Sequence, residues 1–408
     1  MVETLAQSSR RRVSYKAEGT YGTAAGASGA TVVRRTTTSI NLTKEVFSSE
    51  EVREDFQVAD SRHGLRRVSG SVDGELYPGA WAPFFGAVCR QDPTSVTTIA
   101  ASSGDGFSIA SNVLTRAAGG SQTFLTSVRR GHVVRLTGMN AANINRNLLV
   151  TAVTATTLTL YPLDGGSLTD EGTPDETASI TFPGKVTYIP TTGHTSPGFS
   201  IEDYFGDIDV ARLYTGCRVG GMQLEVTPNR MAKVSWPVMG LQATDTESGS
   251  APYFTSPTAA GSQRALSATP AVLLLDGSVI AIATGITMGI DLGLEAPAVI
   301  ASNVSPNIFY GRAAKVSGQM TAFFKDRSLM NRFLNETEGE LAIFLESVGS
   351  APADFVCCYL PRLKVNSASM DDPQTGVVQT LQFEGLLKST NTEGNETTSF
   401  QVQDSQAA

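Results

Sequence analysis

The chain has 408 residues, 41% of them hydrophobic and 17% charged, enough apolar material for two or three folded domains and too much for a disordered tail. Only 7% are aromatic, while 39 glycines and recurring Ser/Thr-rich runs favour many short strands over a helical bundle. A formal net charge of −8 excludes a protein that grips the nucleic-acid backbone through clustered Lys and Arg, but not one that DNA merely slides past.

At the N-terminus, Arg10-Arg11-Arg12 leads into Val13-Ser14-Tyr15-Lys16 without the apolar core of a signal peptide, so cytoplasmic synthesis is expected. Residues 1–30 read as an arm. Ile40-Asn41-Leu42 and Glu45 then precede a long loop and the run Val68-Ser69-Gly70-Ser71-Val72, which leads to Leu76, Trp81 and Phe85. This run alternates with period 2: Val68, Gly70, Val72 and Leu76 fall on one side, Arg67, Ser69, Ser71, Asp73 and Glu75 on the other. Apolar residues between Gly79 and Val88 predict a short helix.

Residues 100–192 carry strand signals of their own at Val133-Val134-x-Leu136, Leu148 to Val153 and Leu158 to Tyr161, which predict an inserted small β domain; polar Asp164 to Thr177 reads as loop. The first module resumes at Phe199-Ser200-Ile201-Glu202 and includes Met222-x-Leu224-x-Val226 and Val234-x-Trp236-x-Val238-x-Gly240-Leu241. It thus spans 31–99 and 193–245, with a linker at 246–268. The most apolar region, Ala271 to Leu294, has 14 uncharged residues between Asp276 and Asp291, short of the roughly 20 that span a membrane. Asp276-Gly277 inside Leu273 to Ile280 signals a tight hairpin.

From there the first pattern returns. Ile290-Asp291-Leu292 and Glu295 precede a loop of similar length and Val316-Ser317-Gly318-Gln319-Met320, leading to Phe324, Leu329 and Phe333. Leu363-x-Val365 and Val377-x-Gln379-x-Leu381-x-Phe383-x-Gly385-Leu386 follow, in the same order, with spacing that differs by about two residues. Two copies of one β-rich unit are inferred, the second at 269–390 and followed by a tail at 391–408. In that copy Ile286, Met288, Ile290 and Leu292 oppose Thr287 and Asp291, while Val316 and Met320 oppose Lys315, Ser317, Gln319 and Thr321. A helix is expected within Asp326 to Glu336, around Leu329, Met330, Phe333 and Leu334.

Catalytic patterns are absent, and neither enzyme activity nor a cofactor or metal is expected. His63, His132 and His194 lie far apart in glycine-flanked or polar settings and read as surface residues. The pairs Glu202-Asp203 and Asp371-Asp372 read as solvated turns, and Cys89, Cys217, Cys357 and Cys358 as reduced thiols in the core or at the surface, with the last two on opposite faces of one strand. Asn-x-Ser/Thr tripeptides at Asn41, Asn303, Asn335 and Asn395 mean little without a secretion signal.

The run Val13 to Thr23 followed by the first repeat, with an insert carrying Gly131-x-Val133-Val134-x-Leu136-Thr137-Gly138 and Asn147 to Val153, resembles the major tail tube proteins of long-tailed, non-contractile bacteriophages. The resemblance implies a mainly β fold: two β-sandwich or partial-barrel modules, each with one flanking helix, plus the insert. It further implies a virion protein whose inner strands join those of neighbouring copies into a continuous barrel, with stacked rings forming a conduit for double-stranded DNA. A polar, non-basic bore suits that passage, so Ser69, Ser71, Asp73, Glu75, Asp291, Ser317, Gln319, Thr321, Gln382 and Glu384 are candidates to line it, with Lys233 and Lys315 arguing against a uniformly acidic wall.

Family rings commonly hold six single-module subunits, so a doubled subunit implies trimeric rings with pseudo-sixfold symmetry. The loops Val46 to Gly64 and Ala296 to Gly311 are expected to reach the adjacent ring, the first through Glu50, Glu51, Arg53, Glu54, Asp55, Asp60 and Arg62, helped by the N-terminal arm and C-terminal tail. The expected partners are further copies of the chain, tape-measure and tail-end proteins and passing DNA, with no membrane; the insert is expected to project outward. A carbohydrate-binding or adhesion β-sandwich is the alternative, but it calls for exposed aromatic platforms, and both tryptophans, Trp81 and Trp236, fall in apolar patterns.

Overall fold

The computed structural model describes residues 5–117, 123–247, 249–348, 352–372, 376–389 and 394–407. Period-2 alternation builds its central element, an antiparallel run of eight strands. In chain order these are β1 (Asn41–Ser48), β2 (Ser61–Glu75), β3 (Gly221–Val226), β4 (Lys233–Gly240), β5 (Ala283–Asp291), β6 (Lys315–Phe323), β7 (Phe355–Asp371) and β8 (Val378–Gly385). In space they run β1-β2-β4-β3-β5-β6-β8-β7. The first four and the last four share one topology and meet where β3 pairs with β5. Among the described residues no closed barrel forms; the run ends on β1 and β7.

Strand register fixes how the two copies correspond. Leu42 pairs with Val68, and Ile290 pairs with Val316, so Leu42 is the counterpart of Ile290. The sequence match of Ile40 to Ile290 is corrected by two residues, which accounts for the spacing difference; a slide of two keeps every side chain on its face and leaves the alternation unchanged. Gly240 and Gly385 both face the valine of Val-Ser-Gly, as the sequence pairing requires. Met222 and Leu224 correspond to Ala368 and Met370 rather than to Leu363 and Val365, because β7 carries a bulge between Val365 and Ser367 where the first copy breaks between Val219 and Gly221.

The repeated glycine has one cause in both copies. A Cβ on Gly70 would lie 2.5 Å from the Ser39 carbonyl oxygen, and one on Gly318 would lie 2.5 Å from the carbonyl oxygen of Thr287, the counterpart of Ser39. Any side chain there would push the neighbouring strand away.

The apolar face of the run packs against a second layer. In the first copy this layer comprises Arg11–Ala17, Phe199–Phe205, Val210–Val219 and Gln242–Thr246; in the second, Val272–Leu275, Gly339–Glu346, the first half of β7 and Gln401–Asp404. Between the layers of the first copy lies α1 (Ala82–Cys89), hydrophobic all round and buried on every side but Pro83. Phe84 stacks on Phe199 with centroids 5.7 Å apart, and Phe85 meets Trp236 edge-on at 5.1 Å. The counterpart α2 (Ser328–Leu334) buries only Leu329; Phe333 is half-buried and Leu334 exposed, because α2 lies at the rim, against β7.

Both termini are strands rather than free arms. Arg11–Ala17 pairs with Phe199–Phe205, and Gln401–Asp404 lies between β7 and Lys185–Tyr188. Eight short strands between Ile99 and Thr181 form a separate sheet around Phe107, Leu114, Phe124, Leu148 and Leu158. Glu171–Asp175 is a strand of that sheet, correcting the loop expected there; its pairing with Phe107–Ala110 is irregular, which suits its turn-forming residues. Through Val133, Leu149 and Leu163 this sheet docks on Phe344, Phe355 and Cys357 of the second copy, not on the first copy that contains it. Cys357 faces this contact and Cys358 the main core; the four cysteines are buried and unpaired.

Two measurements test this packing. Gly318→Ala should lower stability by roughly 1–3 kcal/mol in urea unfolding, whereas Gly289→Ala, whose Cβ would meet nothing nearer than 3.5 Å, should cost less than half as much. Asp404 accepts bonds from Gly79 N at 2.8 Å and Gln406 N at 3.0 Å, yet burial outweighs them and pushes its carboxyl from 3.8 up to about 6. The folded chain therefore holds this proton to higher pH than the unfolded chain, so the contribution is full below about pH 4 and lost as pH rises through 6. Relative to Asp404→Asn, the native chain should lose up to about 3 kcal/mol between pH 4 and 7.

Candidate functional site

Among the described residues, one face of the eight-strand run carries no second layer. All ten polar residues singled out above lie on it: Ser69, Ser71, Asp73 and Glu75 on β2, Asp291 on β5, Ser317, Gln319 and Thr321 on β6, and Gln382 and Glu384 on β8. Directly paired residues share a face, so one row can be followed across both copies as Asp73, Ser235, Gln223, Gly289, Ser317, Glu384 and Lys364. Shallow clefts of about 320 and 290 Å³ lie along this face.

Hydroxyls and opposed charges hold the face in place. The Asp73 carboxylate accepts from Thr37 Oγ1 at 2.9 Å, from Ser71 Oγ at 3.1 Å and from the Ser235 hydroxyl. Glu75 accepts from the Tyr77 hydroxyl at 2.7 Å and stands opposite Lys233, while Asp291 stands opposite Lys315. The two lysines thus sit beside acids. Gln223, Glu225 and Ser235 belong to the same face and were not among the candidates, although the alternation through Met222, Leu224 and Val226 carried the signal.

Backbone pairing stops at the two ends of the run. Within the described residues, β1 pairs with β2 alone, and β7 beyond Leu363 pairs with β8 alone. The run therefore presents two unpaired edges.

The third feature is an extension of the β1–β2 hairpin. Pairing continues to Ser48 and Ser61, and residues 49–60 form the tip. Glu50, Glu51, Arg53, Glu54, Asp55, Asp60 and Arg62 are all exposed there. Arg53 bonds Asp55 at 2.9 Å and holds its carboxyl below the usual range, and Arg62 pairs with Asp60 at 2.9 Å. Charge dominates this loop in sequence, yet Val52 at 98% and Phe56 at 99% exposure project from the same tip. The corresponding loop of the second copy is tied down at Asn303, whose O accepts from Arg66 N at 2.8 Å, and at Ile308, which packs with Leu241 and Ala296, while Ile300 between the loop's ends stands fully exposed.

Two groups read as solvent-facing are structural. His132 is buried against Phe182, its Nδ1 accepts from Arg129 N at 3.2 Å, and burial lowers its pKa to about 3. Glu202 and Asp203 are buried on the Phe199–Phe205 strand, where Glu202 accepts from Phe254 N at 3.1 Å and Asp203 from Arg11 Nε at 2.6 Å. The segment taken as a linker and the N-terminal strand supply these donors, a pairing local sequence does not reveal. Asp371 and Asp372 are exposed, and both tryptophans are buried. Among the described residues no cluster of three or more His, Cys, Asp or Glu is placed to hold a metal ion, and no helix is long and apolar enough to cross a membrane.

No curated protein matches the chain. A family model described as phage tail tube protein matches residues 8–385, a span that takes in both copies and all eight strands of the central run. An uncovered polar sheet face, two open edges and an apolar-tipped hairpin thus occur in a chain that belongs to the phage tail tube protein family, a structural component of the virion tail.

Proposed function

We propose that copies of this chain join their eight-strand runs edge to edge into a ring with the polar face inward, and that rings stack into a hollow tail tube through which double-stranded DNA passes during ejection. The observation that carries this reading is the open eight-strand run itself, polar on one face and sealed by a second layer on the other, in a chain of this family. Antiparallel pairing alternates strand direction, so an even number of strands presents edges of opposite direction, and one copy's β7 can continue into the next copy's β1 without a parallel step.

Two equivalent modules per chain support three chains per ring in place of six single-module subunits. The inward face suits a passing polyanion: its Ser, Thr, Gln and acidic groups offer few phosphate contacts, and Lys233 and Lys315 lie beside acids. Val52 and Phe56 on the hairpin tip support contact with an adjacent ring, since burying one such side chain is worth about 1.5–3 kcal/mol. Tape-measure and tail-end proteins are the further partners of such a tube, the host cytoplasm is the site of synthesis, and a long-tailed, non-contractile phage is the source this reading favours.

Cryo-EM of assembled protein should show hollow tubes with three chains per ring; six chains per ring would overturn the stoichiometry, and solid or absent tubes the conduit. Deleting residues 48–60 should leave a soluble, cooperatively unfolding subunit that no longer polymerises. The milder Val52→Ser/Phe56→Ser variant should polymerise at least tenfold more slowly with its melting temperature unchanged, and tubes formed at the native rate would reject the ring-to-ring role.

A further inference from the structure

The duplication places a model of the missing interface inside the chain. Where the first copy meets the second, β3 pairs with β5 in a single register: Gly221 faces Asp291, Met222 faces Ile290, Gln223 faces Gly289 and Leu224 faces Met288. The register correspondence maps β3 onto the free half of β7 and β5 onto the strand that continues into β1. Met222, Gln223 and Leu224 become Ala368, Ser369 and Met370; Ile290, Gly289 and Met288 become Leu42, Asn41 and Ile40.

Resting on the ring reading above, we infer that β7 of one copy pairs with β1 of a second copy of this chain in the register Ala368 to Leu42, Ser369 to Asn41 and Met370 to Ile40. Exposure gives independent support. Leu224 is 2% exposed because β5 covers it, whereas its counterpart Met370 is 49% exposed at an edge with which no described strand other than β8 pairs. In the inferred register the Met370 side chain comes against the second copy's half-buried Leu42 on the core side, beside Ile40, which is already buried in its own chain and whose carbonyl oxygen accepts from the Tyr214 hydroxyl at 2.7 Å. Ser369 and Asn41 meet on the polar side, so no charge is buried or set against a like charge.

A slip of one residue would set Met370 against Asn41 and is excluded by the alternation. A slip of two keeps the faces and is the register that must be told apart. Bulge position decides it: the break at Gly220 and the bulge at Asn366 are both followed by the residue that starts the free pairing segment, so the junction is measured from the same point in each copy.

Disulfide trapping in assembled tubes reads this register. Directly paired cysteines lie within bridging distance, while partners two residues away are about 7–8 Å apart and are not bridged without backbone movement. Ser369→Cys with Asn41→Cys should cross-link chain to chain at least tenfold more than Ser369→Cys with Thr43→Cys or with Ser39→Cys; the native cysteines are buried and contribute little background. Co-assembly of the two single-cysteine chains should give the same bond and guards against a double variant that fails to fold. If native tubes form but a slipped pair, or no pair, cross-links, the register is wrong and the tube reading stands. Should the unsubstituted chain form no rings or tubes, both fail.

Discussion

An open β-sheet leaves a row of backbone N–H and C=O groups unpaired at each end, and this constraint organises the molecule. Eight strands pair without interruption from β1 to β7, and among the described residues no further strand pairs with β1 or with the free half of β7. Elsewhere the chain closes its edges with care. Its own C-terminal strand fills the gap between β7 and Lys185–Tyr188, and its N-terminal strand extends the outer layer of the first copy. Edges left open in a chain that spends both termini on closing others are consistent with surfaces reserved for further copies.

The two copies have kept the pairing scheme and diverged in what surrounds it. Register, bulge and close-approach glycine recur because each is set by backbone geometry, which tolerates little change. The helices differ because their surroundings differ: α1 is sandwiched between two layers and is apolar on every side, while α2 sits at a rim and needs one anchor, Leu329. The long loops differ likewise. One projects with Val52 and Phe56 in solvent; the other is anchored through Arg66 and Asn303 but still holds Ile300 in solvent, so the loops differ in anchoring and both present an apolar side chain.

The extra eight-strand sheet joins the copies from the side away from the polar face. It is entered and left from the first copy but docks on the second, where Gln403 accepts from Val133 N at 2.7 Å and its Nε2 donates to Val133 O at 2.9 Å. Arg130 and Tyr359 both bond Glu340 in the same contact. This bracing couples the two modules without touching the uncovered face or the free edges.

Sequence by itself determined the class of fold, the duplication, the helix positions, the tight turn at Asp276-Gly277 and the polar face, because each is a matter of local period or local backbone chemistry: alternation survives any rigid placement of a strand. Only the tertiary structure decided the alignment of the copies, since a slide of two residues leaves alternation unchanged and only cross-strand pairing measures it. Contacts distant in sequence were likewise illegible: Glu202 and Asp203 are buried by donors from Tyr253, Phe254 and Arg11, and His132 by Phe182. The terminal segments read as loose arms because a lone short strand carries too little apolar surface to announce its partner; which edge it fills is a property of the assembled sheet.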